Sequence, residues 1–158
     1  APVAEGAVEG AAAPDAAASE PSDPRLDAAE QALEEGDYDE AIRRYEAIVA
    51  ADPNHPYAAP ALPRVHLMRR VADLSEDVVA AADAAPADVD AQLRAADWEL
   101  AFGDDVNQAL GRLIAAVRRS SGDERAALRE RLVQYFDVLG PEDPAVGPAR
   151  RDLANALF

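Results

Sequence analysis

Apolar residues recur at three- and four-residue spacing through most of the chain, and the breaks fall at glycine, proline and short acidic runs. That rhythm predicts successive amphipathic helices. Asp23 is placed to cap a first helix whose opening residue is Pro24, where a missing N–H costs no bond. Leu26, Ala29, Ala32 and Leu33 share one face of it before Gly36 stops it. A second helix over 38–51 carries Ala41, Ile42, Tyr45, Ile48 and Val49 on its stripe. Asp52-Pro53-Asn54 ends it, because the residue before proline is driven out of the helical region.

Pro56, Pro60 and Pro63 mark an irregular entry to a third helix over about 61–72. Ser75 is the expected cap of a fourth helix, 76–84, which Pro86 ends. A fifth spans 87–102, with Leu93, Ala96, Trp98 and Leu100, and a sixth 105–119. Ser121 and Glu124 have the spacing of a capping box and open a seventh, running to Leu139. After Gly140-Pro141 a last helix starts near Asp143-Pro144 or at Gly147-Pro148 and runs to the final residue. Residues 1–22 hold only Val3 and Val8 as larger apolar side chains. They cannot offset an ordering cost of about 1–2 kcal/mol per residue and read as a disordered linker. The fold class that follows is all-α, with about eight helices over 23–158.

Composition strengthens this reading and removes others. Of the 158 residues 39 are Ala, the best helix former, and every one of the 15 basic residues is Arg. Cys, Lys and Thr are absent, which rules out disulfides, Cys-ligated metal and thiol chemistry. A net charge of −16 opposes nucleic acid. No run approaches the roughly 18–20 apolar residues of a membrane span, so no membrane role is expected.

The segment Gly36 to Ala47, continued through Pro53-Asn54, follows the second half of a tetratricopeptide repeat. Gly36 allows a tight turn between antiparallel helices, and Ala41 lets them approach closely. Tyr45 fills the space towards the next unit, and Pro53 ends it. Ala109 lies 68 residues after Ala41, two periods of about 34 residues. Gly103, Leu113 and Ala116 take the matching places there, with one extra residue in the turn. The expected architecture is a short right-handed solenoid of stacked hairpins. It has a clear repeat at about 22–55, a degenerate one at 56–86, a second recognisable one at 87–121, and terminal helices over 122–158.

The chain from about 23 to 158 also resembles the tetratricopeptide half of the bacterial thioredoxin-fold co-chaperones (CnoX/YbbN, the chaperedoxins), in an actinobacterial version. The features that carry the likeness are the repeat from Gly36 to Pro53, the Ala/Asp stretch from Asp90 to Gly103, and the ending Arg150-Arg151-Asp152-Leu153-Ala154-Asn155-Ala156-Leu157-Phe158. Relatives usually end in Tyr where this chain has Phe158, and Pro148 falls in the first turn of the last helix. The resemblance implies a cytoplasmic, non-enzymatic holdase module that binds unfolding protein clients. It would dock on a GroEL-type chaperonin through Arg150, Arg151, Leu153, Leu157 and Phe158. It also implies a thioredoxin-like domain before Ala1, with 1–22 as the interdomain linker, and the absence of an initiating Met agrees with a chain cut from something longer. A generic assembly scaffold, with a partner peptide in its concave groove and the last helix as a cap, stays open beside it. An enzyme survives only if an upstream part supplies the chemistry.

Other constellations point to structure. His55 and His66 sit on different elements with no Cys to complete a metal site, and neither metal nor cofactor is expected. Gly103-Asp104-Asp105 reads as a repeat turn, since carboxylates oppose phosphate. Neighbouring acids such as Glu34-Glu35 diverge by about 100° around a helix, so paired-carboxylate catalysis is not expected. Trp98 and Phe102 read as a core pair between the fifth and sixth helices. Arg118, Arg119, Arg125, Arg129 and Arg131 form a basic run interleaved with Glu124 and Glu130, for which ion pairs along the helix are the expected use. A carboxylate clamp is disfavoured because there is no Lys.

Overall fold

The structure, a computed structural model, describes residues 22–158. The expected linker therefore lies outside the described residues, save Ser22. Eight helices follow in order: α1 (Pro24–Glu34), α2 (Tyr38–Ala51), α3 (Ala58–Val71), α4 (Asp77–Ala84), α5 (Val89–Phe102), α6 (Val106–Arg119), α7 (Gly122–Leu139) and α8 (Val146–Leu157). No strand occurs among the described residues.

Aspartate sets several helix starts. The carboxylates of Asp23, Asp37, Asp88 and Asp105 accept backbone N–H bonds from Arg25, Glu40, Ala91 and Asn107. Each satisfies a donor that the first turn leaves without an intrahelical partner. At α3 the same service comes from His55, whose Nδ1 accepts the N–H groups of Tyr57 and Ala58 at 3.3 and 3.1 Å. This lets α3 begin three residues before the expected 61, with Pro60 in a first turn that needs no N–H. Two expected caps are not made. Ser75 lies outside the start of α4, whose N-cap is Glu76 without a side-chain bond. The Ser121 hydroxyl also caps nothing, because Gly122 enters α7 at φ +56° and breaks the regular turn a capping box requires. In α8 Pro148 falls in the first turn, so it interrupts nothing.

Two hairpins hold the positions that the sequence matches at repeat spacing. In α1/α2 and in α5/α6 the paired helices pack closely, and Ala41 and Ala109, two periods apart, are both fully buried at the crossing. Their companions Tyr45, Leu113 and Ala116 are buried as well. The two turn glycines work differently. Gly36 has φ +76°, a left-handed conformation with open space around it. Gly103 has φ −74°, ordinary for any residue, but a Cβ there would collide with the Glu99 carbonyl oxygen.

The rest departs from a regular stack. α3 packs on α2 and also reaches α5 and α7, while α3 and α4 do not form a packed hairpin. At the other end α8 lies chiefly on α6 and only lightly on α7. The apolar interior is accordingly divided. Ala29, Ala41, Tyr45, Ile48, Ala58 and Val65 form one cluster under α1–α3. A larger one joins α5 to α8 around Leu110, Leu113, Leu128, Leu132 and Tyr135. Ala82, Ala91 and Ala95 make a small third between α4 and α5.

Candidate protein-binding surfaces

Polar residues on the inward side of α5 organise the centre of the molecule. Asp97 is 2% exposed. Its Oδ2 accepts from Arg70 Nε of α3 at 3.0 Å and from Arg131 Nη1 of α7, and its Oδ1 accepts from the Tyr135 hydroxyl at 2.7 Å. One carboxylate thus ties three helices, and burial together with its charge pushes the Tyr135 phenol well above its ordinary value. Two residues on, Glu99 takes Arg112 of α6 in a two-pronged pair at 2.9 and 2.7 Å. Arg112 also donates to Asp83 of α4 and to Gln92 Oε1, while Gln92 Nε2 donates to the Ala82 and Ala85 carbonyls. These contacts explain how a chain this rich in alanine fixes its helix packing. Composition conceals them, yet the spacing of Gln92, Ala96 and Glu99 along one buried face is visible in the sequence.

Beside the Asp97 junction, α3 packs on α7. What remains there is a recess of about 270 Å³ between α3 and α7, beside His66, Arg70 and Gln134. His66 itself faces Glu46 at 3.7 Å. Among the described residues no group of three or more His, Cys, Asp or Glu is placed to hold a metal ion.

The five residues of the last helix separate into two sets. Leu153 is 7% exposed and belongs to the larger core, with Leu157 partly buried against it. Arg150, Arg151 and Phe158 face outward. The Arg150 guanidinium lies 5.4 Å from the centre of the Phe136 ring, within cation–π range. Between α7 and α8 is an open groove of about 310 Å³, lined by Val133, Phe136, Leu157 and Phe158, with Arg129 and Arg150 at its rim. The basic run does not pair along its own helix as expected. Arg131 crosses to Asp97 and Arg125 donates to the Ser120 carbonyl. No ion pair joins Arg118, Arg119 or Arg129 to Glu124 or Glu130 among the described residues.

Trp98 and Phe102 are not a core pair. Their rings meet at 4.4 Å and 53°, but Phe102 is 52% exposed and Trp98 only partly buried, at the α4–α5–α6 edge. The preceding turn of α5 uses its inward positions for Ala95, Ala96 and Asp97, which leaves the aromatic pair on the flank.

A family model described as tetratricopeptide repeat matches residues 69–158, from the end of α3 through α8. Uncharacterized proteins of Mycobacterium bovis and Mycobacterium tuberculosis are each 42% identical to this chain over 146 residues, covering 90% of it and 48% of the relative. The chain thus spans about half the length of the curated relatives it matches. No solved structure matches it significantly. The match takes in the α5/α6 hairpin, with Ala109, Leu113 and Ala116, and the helices packed on it: the chain belongs to the tetratricopeptide repeat family.

Proposed function

We propose that this chain is a protein-binding module that docks through the α7/α8 end of its stack, within a cytoplasmic co-chaperone that holds unfolding clients and delivers them to a GroEL-type chaperonin. The observation that carries the docking surface is the groove between α7 and α8. It exposes Val133 (43%) and Phe158 (107%) beside two arginines that have no carboxylate partner among the described residues. Aromatic and Arg side chains around an apolar recess are what protein interfaces concentrate. Charge supports the location. Residues 106–158 carry eight Arg and seven acids, against seven Arg and 24 acids before them, so this end repels an acidic partner least. Chaperonin and clients as the partner class rest on the resemblance of the ending Arg150 to Phe158. A partner peptide in the concave groove is less well supported, because the recess left between α3 and α7 is about 270 Å³, room for side chains and not for an extended segment.

The test is binding of the purified chain to a purified GroEL-type chaperonin, together with suppression of light scattering by a heat-unfolding client. Phe158→Ala with Arg129→Glu is expected to weaken chaperonin binding about tenfold or more, with the helical circular dichroism unchanged. A chaperonin that ignores the wild-type chain ends the co-chaperone reading. Equal binding by the variant moves the docking surface away from α7/α8.

A further inference from the structure

At the edge where α4, α5 and α6 meet, a recess of about 290 Å³ is walled by Trp98 and Phe102, with Glu76, Val79, Asp104 and Gln108 around it. From it we infer a binding site for a cationic side chain, best an arginine, presented by a basic segment of a partner protein.

Three observations on the site point to that ligand. Both aromatic side chains line the recess, and the negative face of such a ring attracts a cation. Among the described residues no cation covers them, and the one cation–π contact is Arg150 on Phe136, at the other end of the stack. The carboxylates around the rings are divided in use. Glu99 is taken by Arg112 and Asp105 by the Asn107 amide, whereas Glu76 and Asp104 form no ion pair among the described residues.

Other ligand classes fit poorly. An apolar group would strip water from Glu76 and Asp104 without giving them a partner. An anion would be repelled by both carboxylates and by the rings. Arginine suits both features at once, stacking its planar guanidinium on an aromatic face while donating to carboxylates at its edge. Gly103 contributes by its size, since a Cβ would collide with the Glu99 carbonyl oxygen and force the loop that carries Asp104 to move. The site lies on helices other than α7 and α8, so it stands or falls independently of the docking surface proposed above.

Trp98 is the single tryptophan, so its emission reports directly on this recess. The probe is the end-capped peptide Gly-Arg-Gly-Arg-Gly, compared with the same peptide carrying citrulline, which keeps the shape and loses the charge. The arginine peptide is expected to change Trp98 emission saturably, and the citrulline peptide is not. Glu76→Gln with Asp104→Asn should weaken binding about fivefold. Glu34→Gln with Glu35→Gln removes the same charge from α1 and its C-cap and should change it less than twofold. Both pairs are exposed, so neither threatens folding. Unchanged emission, equal response to citrulline, or equal weakening by the two pairs of substitutions would each overturn the site.

Discussion

The Tyr135 hydroxyl donates to Asp97 Oδ1 at 2.7 Å across 38 residues of sequence, and both side chains are buried. With Arg70 and Arg131 on the other oxygen, this carboxylate holds α3, α5 and α7 together. Asp97→Asn leaves two largely buried guanidiniums without a counter-charge and should cost about 3–5 kcal/mol. Tyr135→Phe removes one bond to a charged acceptor and should cost about 1.5–3 kcal/mol. Urea midpoints of the two variants, at unchanged m-value, check the order.

The same contact governs the response to alkali. With no Lys or Cys, tyrosine is the side chain that an unfolded chain of this composition deprotonates near pH 10. Burial, then the Asp97 charge, raises the Tyr135 phenol, and burial also raises Tyr45. Above about pH 10 the unfolded chain releases protons that the folded chain keeps, so stability is full below that pH and falls as pH rises. The slope is about 1.4 kcal/mol per pH unit for each retained proton. Urea titrations at pH 9 and 11 measure it, and Tyr135→Phe should flatten it.

Gly36 and Gly103, matched by the repeat, should respond differently to substitution. Gly36→Ala forces a left-handed conformation in open space, at about 1–2 kcal/mol, and Gly36→Asn should recover part of that. Gly103→Ala meets backbone that must shift and should cost more. Thermal midpoints of the three variants decide it, and equal losses for the two alanines would contradict the assignment.

Leu153 and Phe158 lie five residues apart and divide structure from surface. Leu153→Ala opens the larger core and should cost about 2–5 kcal/mol, whereas Phe158→Ala should stay within about 0.5 kcal/mol. Removing the whole last helix would therefore confuse unfolding with lost docking. Single substitutions scored by denaturation and by partner binding keep the two apart.

Much of this was legible in the sequence where local rules decide. The bounds of α1 and α2 follow from Asp23-Pro24, Gly36 and Asp52-Pro53, and Ala41 and Ala109, 68 residues apart, are both fully buried. The start of α3 was not legible, because its cap is a histidine ring and the usual signal is a small polar residue. Ser121 with Glu124 had the right spacing, yet one glycine torsion undid it. The Asp97 and Arg112 networks depend on helices far apart in the chain, and no local pattern names such partners. Trp98 and Phe102, four residues apart, read as a core pair in the sequence, whereas Ala95 and Ala96 take the interior of α5.

The division of the apolar interior has a consequence for how the molecule comes apart. The α1–α3 cluster and the α5–α8 cluster are separate, and Arg70 on Asp97 is part of the seam between them. Amides of α1 and α2 should exchange with solvent through a partial opening that leaves α5–α8 protected. The first hairpin can then come loose while the far end of the protein keeps its shape, so damage at one end need not reach the other.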